Sequence, residues 1–453
     1  MMFKKILIAN RGDIAIRVLR ACREMGIKTV AVHSVVDSSL MHVKFADESV
    51  CIGGNRSADS YLNISAILSA AEITGADAIH PGVGFLSENE KFATMVAGHG
   101  MTFIGPSPEH LRMMGDKIVA KKTMSELGIP VVTGSDGEVK SVEEAKSIAK
   151  QSGYPVLFKA ASGGGGKGMK VANSPDEIEN AYKMAKAEAK ANFGDDCVYM
   201  ERYLAHPRHI EIQILADAYG NVVHLGERDC SIQRNHQKLL EESPSVALSN
   251  EQRKQIGEIV TKAVKKLGYV GVGTLEFLYE GGEFFFMEMN TRLQVEHSVS
   301  EEITGIDLVK EQIRVAAGQK LNIKQEDIKF SGHAIEFRIN AEDSKTFMPS
   351  PGRVAELYFP GGNGVRIDSH IYRDYVIPPY YDSLIAKIIV HASTRDECLA
   401  KARCALDELV IEGVSTTAEL HKKLLRNKDI TAGDFDIHWL ENNLQTLTKG
   451  ETS

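Results

Sequence analysis

Three stretches of the chain carry side chains whose types and spacing could bind phosphate, a divalent cation and a small anion. The first is Lys159-Ala-Ala-Ser-Gly-Gly-Gly-Gly-Lys-Gly-Met169. Consecutive glycines remove every β-carbon, so backbone N–H groups can close around an anion. Lys159 and Lys167, with Lys117 in Met114-Gly-Asp-Lys117, could add positive charge. The run joins two expected strands and lacks the G-x-x-x-x-G-K-[ST] spacing, so it is neither a P-loop nor a dinucleotide fingerprint. Taken alone, it is also compatible with the tip of a hairpin.

The second stretch is a pair of apolar segments, Thr274-Leu-Glu-Phe-Leu278 and Phe286-Met-Glu-Met-Asn290, around Gly281-Gly282. Each carries a carboxylate among apolar neighbours, and a buried carboxylate without a partner is costly. Mg2+ on nucleotide phosphates is held through one or two carboxylates and a few further oxygens. Glu288 and Asn290 are two apart and share a strand face. A two-residue loop would pair Glu276 with Met287 and turn the glutamates apart. A three-residue loop, Gly281 to Glu283, would set Glu276 across from Glu288, and this is the form expected. Edge-strand glutamates in water are the competing reading, disfavoured by the surrounding Leu, Phe and Met.

The third stretch, Asn290-Thr-Arg-Leu-Gln-Val-Glu-His297, alternates Arg292, Gln294 and Glu296 with Leu293 and Val295. One side then offers a guanidinium, an amide and a carboxylate. Upstream, Glu227-Arg-Asp-Cys-Ser-Ile-Gln-Arg-Asn-His-Gln-Lys238 is dense in charge, with neither helical nor strand alternation, and is expected to line a cleft. An arginine fork suits a carboxylate-like anion, a lysine acts as a point charge, and a neighbouring glutamate can serve as general base.

The elements that must position these groups follow a β-α-β rhythm over the first 110 residues. Lys5 to Ala9, Thr29 to Val32, Ala76 to His80 and Met101 to Ile104 read as strands with helices between, which predicts a parallel sheet. A helical stretch from Ser107 to Leu127 leads into a mixed region. There Ser141 to Ser152, Pro175 to Ala191 and Lys254 to Leu267 read as helices, and Val156 to Lys159, Met169 to Val171 and Val198 to Glu201 as strands. Arg208 to Leu215 alternates cleanly, with Ile210, Ile212 and Ile214 on one face and His209, Glu211 and Gln213 on the other. One helix is expected from about Glu301 to Ala317, and an alternating strand from Ala334 to Ile339.

At 453 residues, 43% hydrophobic and 25% charged, the chain matches a soluble protein of two to four domains. Net charge of −8 offers no basic surplus for nucleic acid. No apolar run reaches membrane-spanning length. The start, MMFKKILIANRG, reads as a first strand rather than a signal segment. Six scattered cysteines without a C-x-x-C pair are expected to be free thiols in a reducing cytoplasm.

Lys159 with the glycine loop, then Glu276, then Glu288-Met-Asn290, resembles the ATP-grasp fold. Longer strings narrow the resemblance to the biotin carboxylase family: IANRGDIAIRVLRAC, HPGVGFLSEN, FIGPS, MGDK, GERDCSIQRNHQK, EMNTRLQVEH, GHAIEFRINAED with FMPSPG, and PPYYDSLIAK. They cover residues 3 to 445, in order. The resemblance implies an α/β and α+β architecture. An N-terminal Rossmann-like parallel-sheet domain would occupy 1–115 and an ATP-grasp domain 116–320, with a mobile lid at about 131–203. A mixed C-terminal domain would occupy 330–446. Lys117, Lys159, Gly164, Gly165, Gly166, Lys167, Gly168, Met169, Glu201, Leu204, His209, Gln233 and His236 would hold ATP. Glu276, Glu288 and Asn290 would hold Mg2+ or Mn2+. Lys238, Arg292, Gln294 and the Val295 backbone would seat bicarbonate, and Glu296 would take its proton. The resulting carboxyphosphate would break down to CO2 and phosphate, the phosphate would deprotonate the biotin ureido nitrogen, and Arg338 would stabilise the biotin enolate. Lys238, Arg292, Glu296 and Arg338 are thus the catalytic set.

The sequence departs from the family pattern at Val83, where tyrosine is usual, at Ser298, where proline is usual, and at Lys167, often arginine. No Ala-Met-Lys-Met sequence is found, so biotin is expected on a separate carrier protein, working with a carboxyltransferase of an acetyl-CoA or other acyl carboxylase. A homodimer is expected, with Arg17 and the C-terminal domain as its contact. Another ATP-grasp carboxylate ligase would share the nucleotide half but would not account for Arg338 together with Arg292, Gln294 and Glu296. A non-catalytic scaffold would not need every charged position filled.

Overall fold

The computed structural model describes residues 2–162 and 168–448. Its N-terminal part is a parallel sheet of β1 (Lys5–Ile8), β2 (Lys28–Ser34), β3 (Glu48–Gly53), β4 (Ala78–His80) and β5 (Thr102–Phe103), in the order β3-β2-β1-β4-β5. Both faces are covered, as a parallel sheet requires. Ile6 and Ile8 pack with Ile14, Val18 and Leu19 on one side, while Leu7 packs with Ile67, Leu68 and Phe92 on the other.

A separate three-stranded sheet is formed by β6 (Val156–Ala160), β7 (Lys170–Ala172) and β8 (Val198–Arg202), in the order β7-β6-β8. The glycine run connects β6 to β7, as the sequence suggested. Gly164, Gly165, Gly166 and Lys167 lie outside the described residues. Gly168 has φ +72, and an added β-carbon would stand 3.0 Å from that of Ala160, so glycine is required there.

Eight further strands form one antiparallel sheet, and two small two-stranded ribbons, Gly352–Arg353 with Val376–Ile377 and Glu356–Tyr358 with Val410–Glu412, lie apart from it. β9 (Arg208–Ala216), β10 (Val222–Arg234), β11 (Gln237–Ser243), β12 (Gly271–Glu280), β13 (Glu283–Asn290) and β14 (His333–Asn340) run in the order β13-β12-β9-β10-β11-β14. The strands Leu384–Ala392 and Val365–Ser369 then complete the sheet. It crosses the boundary expected near 320–330, because β11 pairs with β14. Ile210, Ile212 and Ile214 pack under Ile256, Val260 and Val264 of the helix Asn250–Leu267. The opposite face of β9 is turned to the polar residues of the cleft.

Several expectations need correcting. Residues 227–238 line the cleft as expected, through Gln233, His236 and Lys238, but they do so as most of the β10–β11 hairpin, closed by Asn235 and His236 at φ 47 and 63. Strand alternation was invisible there because β10 is buried on both faces. The stretch Ser107 to Leu127 is two helices, Pro108–Gly115 and Lys117–Glu126. Extended Asp116 separates them, and its carboxylate accepts from the N–H groups of Ile118 and Val119. The helix expected over 301–317 is likewise split into His297–Thr304 and Leu308–Ala316. Gly305 closes the first in a left-handed conformation and Asp307 caps the second.

The loop between β12 and β13 also differs from expectation. It has two residues, Gly281 and Gly282, at φ 62 and 88, flanked by the pair Glu280 and Glu283. The intended consequence survives, because the register shifts by one residue between Glu276 and Phe277, and this bulge returns Glu276 to a position directly across from Glu288. Arg17 is paired within the chain with Glu301 at 2.8 Å and Asp307 at 2.7 Å. Among the described residues all six cysteines are free, and no helix is long and apolar enough to cross a membrane.

Candidate active site

The three-stranded sheet and the eight-stranded sheet face each other across a cleft that collects most of the residues singled out above. On the side of the smaller sheet Lys159 points from β6 to Glu201 on β8, donating at 2.6 Å, while Lys121 donates to the other carboxylate oxygen at 2.8 Å. Burial would raise Glu201, but the two lysines outweigh it and hold the carboxyl below its usual range. Glu201 in turn overcomes the burial of Lys159 and keeps that amine charged. Met169 and Leu204 add apolar wall, and Gln233 and His236 reach the cleft from the β10–β11 hairpin. This lining of apolar surface with a few fixed polar groups suits a nucleotide.

The cross-strand pair supplies oxygen ligands. Glu276 Oε1 accepts from Asn290 Nδ2 at 2.6 Å, Gln294 Nε2 at 2.7 Å and Lys238 Nζ at 3.0 Å. Its Oε2 lies 3.1 Å from His209 Nε2, which is also 3.2 Å from Glu211. Burial would lower His209, yet Glu276 and Glu211 lift it to about 9. Glu288 is more open and stands 3.2 Å from Lys117 Nζ. Two carboxylates and the Asn290 amide oxygen on one sheet face are the donor set a hard cation takes.

Beyond Asn290 the chain is no longer a strand, contrary to the alternation read in the sequence, but a loop running to the helix His297–Thr304. The three polar side chains nevertheless converge. Arg292 Nε donates to Glu88 at 2.8 Å, and one terminal nitrogen donates to Asn290 Oδ1 at 2.9 Å. Gln294 is clamped between Glu276 and Arg228. Glu296 accepts from Lys238 at 2.8 Å and from Arg338 at 2.9 Å. Burial alone would raise Glu296; Lys238, Arg338 and Arg228 more than offset it and bring the carboxyl down to about 2. The Val295 carbonyl accepts from Lys387 at 2.5 Å, which anchors the loop from beneath.

Most of the named site residues that lie among the described ones line the cleft, and Gln294 and Glu296 bond to groups that do, while Arg338 joins through Glu296 and Val295 is held by Lys387. Sequence reasoning gave no role to Glu88, Glu211 or Arg228. All three lay inside stretches already noted, but alternation along one strand cannot say which charges on other strands will meet them. Ser298 is buried and bridges Lys387, which donates at 2.9 Å, and Glu336, to which it donates. Val83 is half-buried, with its carbonyl accepting from Asn10 at 2.7 Å.

An antiparallel sheet holding paired glutamates, faced across a cleft by a smaller sheet that carries Lys159 and Glu201, is the arrangement of an ATP-grasp ligase. Family models match along the chain: the biotin carboxylase N-terminal domain at residues 2–111, the carbamoyl-phosphate synthase L chain ATP-binding domain at 116–324, and the biotin carboxylase C-terminal domain at 336–442. The biotin carboxylase of Haemophilus influenzae is 56% identical over 98% of this chain and 99% of its own length. Biotin carboxylase 1 of Bacillus subtilis is 55% identical over 97% and 98%. Among solved structures, the biotin carboxylase domain dimer of Hydrogenobacter thermophilus 2-oxoglutarate carboxylase, with MgADP, ADP and bicarbonate, superposes with a TM-score of 0.95 at 50% identity, covering all of both chains. The Campylobacter jejuni biotin carboxylase complex with beta-gamma-ATP gives 0.94 at 51% identity, over 97% of this chain and 99% of that one. The chain belongs to the biotin carboxylase family.

Proposed function

We propose that this cleft carboxylates biotin, delivered on a separate carrier protein, at the expense of ATP and bicarbonate. Lys117, Lys159, the glycine loop, Met169, Glu201, Leu204, His209, Gln233 and His236 bind the nucleotide. Glu276, Glu288 and Asn290 fit a divalent cation, which when bound supplies charge neutralisation to the phosphates. Arg292, Lys238, Gln294 and the Val295 backbone seat bicarbonate, and Glu296 takes its proton, so that a bicarbonate oxygen can attack the γ-phosphorus. As Lys238 and Arg338 turn toward the bound anions, Glu296 loses the counterions that depress it and becomes a stronger base. The carboxyphosphate formed breaks down to CO2 and phosphate, the phosphate deprotonates the biotin ureido nitrogen, and Arg338 stabilises the enolate. Closure of the lid excludes water from a reactive mixed anhydride.

The observation that carries this reading is a single lysine. Lys238 bonds both Glu276 of the cation set and Glu296, the base, and Glu296 bonds Arg338. Cation, bicarbonate and biotin groups are therefore one connected cluster, which a nucleotide-binding scaffold would not need. A carrier protein, a carboxyltransferase and a second copy of the chain are the partners that fit this chemistry, and the Hydrogenobacter domain is a dimer. The test is phosphate release from ATP with Mg2+ and bicarbonate, with and without free biotin, for the wild type and Glu296→Ala. Biotin-dependent release that disappears in the variant, with labelled carboxybiotin in the wild type, is the expected result. Turnover indifferent to bicarbonate and biotin would instead favour a different ATP-grasp ligase.

A further inference from the structure

Two buried carboxyl groups adjoin this cluster without a part in the steps above. Glu241 on β11 and Glu336 on β14 face each other as a direct cross-strand pair, which brings their β-carbons to about 4.5–5.5 Å. Both are fully buried. Glu241 Oε1 accepts from Arg338 Nε at 2.6 Å. Glu336 Oε2 accepts from Ser298, and Lys387 lies 3.4 Å from the same atom. The remaining oxygens, Glu241 Oε2 and Glu336 Oε1, are buried with no hydrogen-bond partner. Two facing acceptors cannot satisfy each other, and two adjacent carboxylates cannot both ionise at neutral pH without a large cost. One proton between them removes both problems.

We propose that Glu241 and Glu336 share one proton across β11 and β14, and that this singly charged pair positions Arg338 between Glu241 and Glu296. The inference rests on the place given to Arg338 in the reading above. The charged and titratable groups facing the pair are Arg338 on β14, Lys387 on the strand Leu384–Ala392, Glu296 in the loop before the helix His297–Thr304, and Cys230 on β10. The Cys230 thiol is pushed well up by burial and stays neutral. Burial raises Glu336, and burial lifts Glu241 to about 8 despite Arg338. Loss of the shared proton at higher pH adds a second negative charge beside Arg338. The guanidinium is then drawn toward the pair and away from Glu296 and the substrate side. Ser298 is part of the device: its hydroxyl donates to Glu336 and leaves only the Glu241 side to share.

The test is an infrared spectrum of the full chain in the protonated-carboxyl region, with Glu241→Gln and Glu336→Gln as near-isosteric variants. The wild type at pH 7 is expected to show a carboxyl band that is lost in each variant, because a single remaining glutamate ionises against Arg338 or Lys387. The biotin-dependent rate of the wild type is expected to fall above about pH 8, and this limb should disappear in Glu336→Gln, where no second carboxyl is left to ionise. A wild-type spectrum without the band, or a band that survives in either variant, overturns the shared proton. An alkaline limb that persists in Glu336→Gln overturns its hold on Arg338. Should a variant fail to fold, the wild-type band and its reversible loss on raising the pH decide the point. The infrared signal does not depend on turnover, so a missing biotin response would count against the proposed reaction and not against the pair.

Discussion

Replacing Arg228 by methionine tests the polar network where it is most concentrated. The Arg228 side chain has no exposure. Its Nε donates to Glu211 at 3.1 Å, one terminal nitrogen donates to Gln213 at 2.6 Å and Ser300 at 3.0 Å, and the other donates to Thr274 at 3.1 Å and to Gln294. Methionine keeps most of the stem, so the main loss is charge and hydrogen bonding rather than volume. Breaking a buried ion pair from one side costs about 3–5 kcal/mol. The lower end applies here, because Lys238 and His209 still face Glu211. Gln213 and Gln294 are left as buried acceptors without this donor, at about 1–3 kcal/mol each. A total of roughly 5 kcal/mol follows. Spread over 453 residues, with an unfolding entropy of about 2 cal/mol/K per residue, this lowers Tm by about 5 °C. Gln294 would keep only its bond to Glu276, so the KM for bicarbonate should rise about tenfold, equivalent to roughly 1.4 kcal/mol. Thermal unfolding and bicarbonate-dependent ATP hydrolysis measure the two effects, and Arg228→Lys should fall between. A Tm within about 1 °C of wild type together with an unchanged bicarbonate KM would refute the assignment of Arg228 as the anchor of Gln294.

Three further outcomes are expected. Stability should fall with pH below about 6.5, because burial holds His42, His80, His370 and His421 neutral, down to about 4, 3, 3 and 4. The unfolded chain binds those protons first, so each histidine removes about 1.4 kcal/mol per pH unit between 6.5 and its folded value. Urea midpoints that stay level from pH 7 to 5.5 would contradict this. Thiol reagent under native conditions should react with the exposed Cys51 and Cys404, more slowly with Cys197, and with Cys22, Cys230 and Cys398 only after unfolding. A rapid native count above two would show that the core opens. Lys159→Gln should raise the KM for ATP by about 10-fold to 100-fold, with Glu201 left to Lys121 alone, whereas an unchanged value would place the phosphates elsewhere.

Four strands of the N-terminal sheet were legible because each is a short apolar run with helical periodicity between runs, a strictly local signal, whereas the edge strand β3, mostly exposed, carries no such run and was missed. The site was legible as residue types and only partly as geometry. Glu276 and Glu288 do face each other, but through a two-residue turn and a bulge, and nothing local in Met287 announces that it is the extra residue. The 227–238 run was misread because a strand buried on both faces loses its alternation, and here one face is charged. Gly305 and Asp116, which interrupt the helices, were absorbed into longer helical patterns. Arg228 and Glu241 could not be assigned roles from sequence. Their partners lie on strands far away in the chain, and only the assembled sheet decides which carboxylate each cation meets.

The continuity of the eight-stranded sheet bears on how the chain is made. During synthesis β11 emerges with its outer edge unpaired, and the strand that covers it, β14, follows only after the helices of 250–316 and the β12–β13 hairpin. At about 5–20 residues per second that interval is on the order of ten seconds. Throughout it the nascent chain presents an open edge, the kind of template that recruits another strand. Glu241, ionised on that edge while water still reaches it, and Lys238 nearby discourage a foreign apolar strand from settling there. The carboxylates and lysine that later serve the cleft therefore also act as gatekeepers on the ribosome, before any substrate can bind.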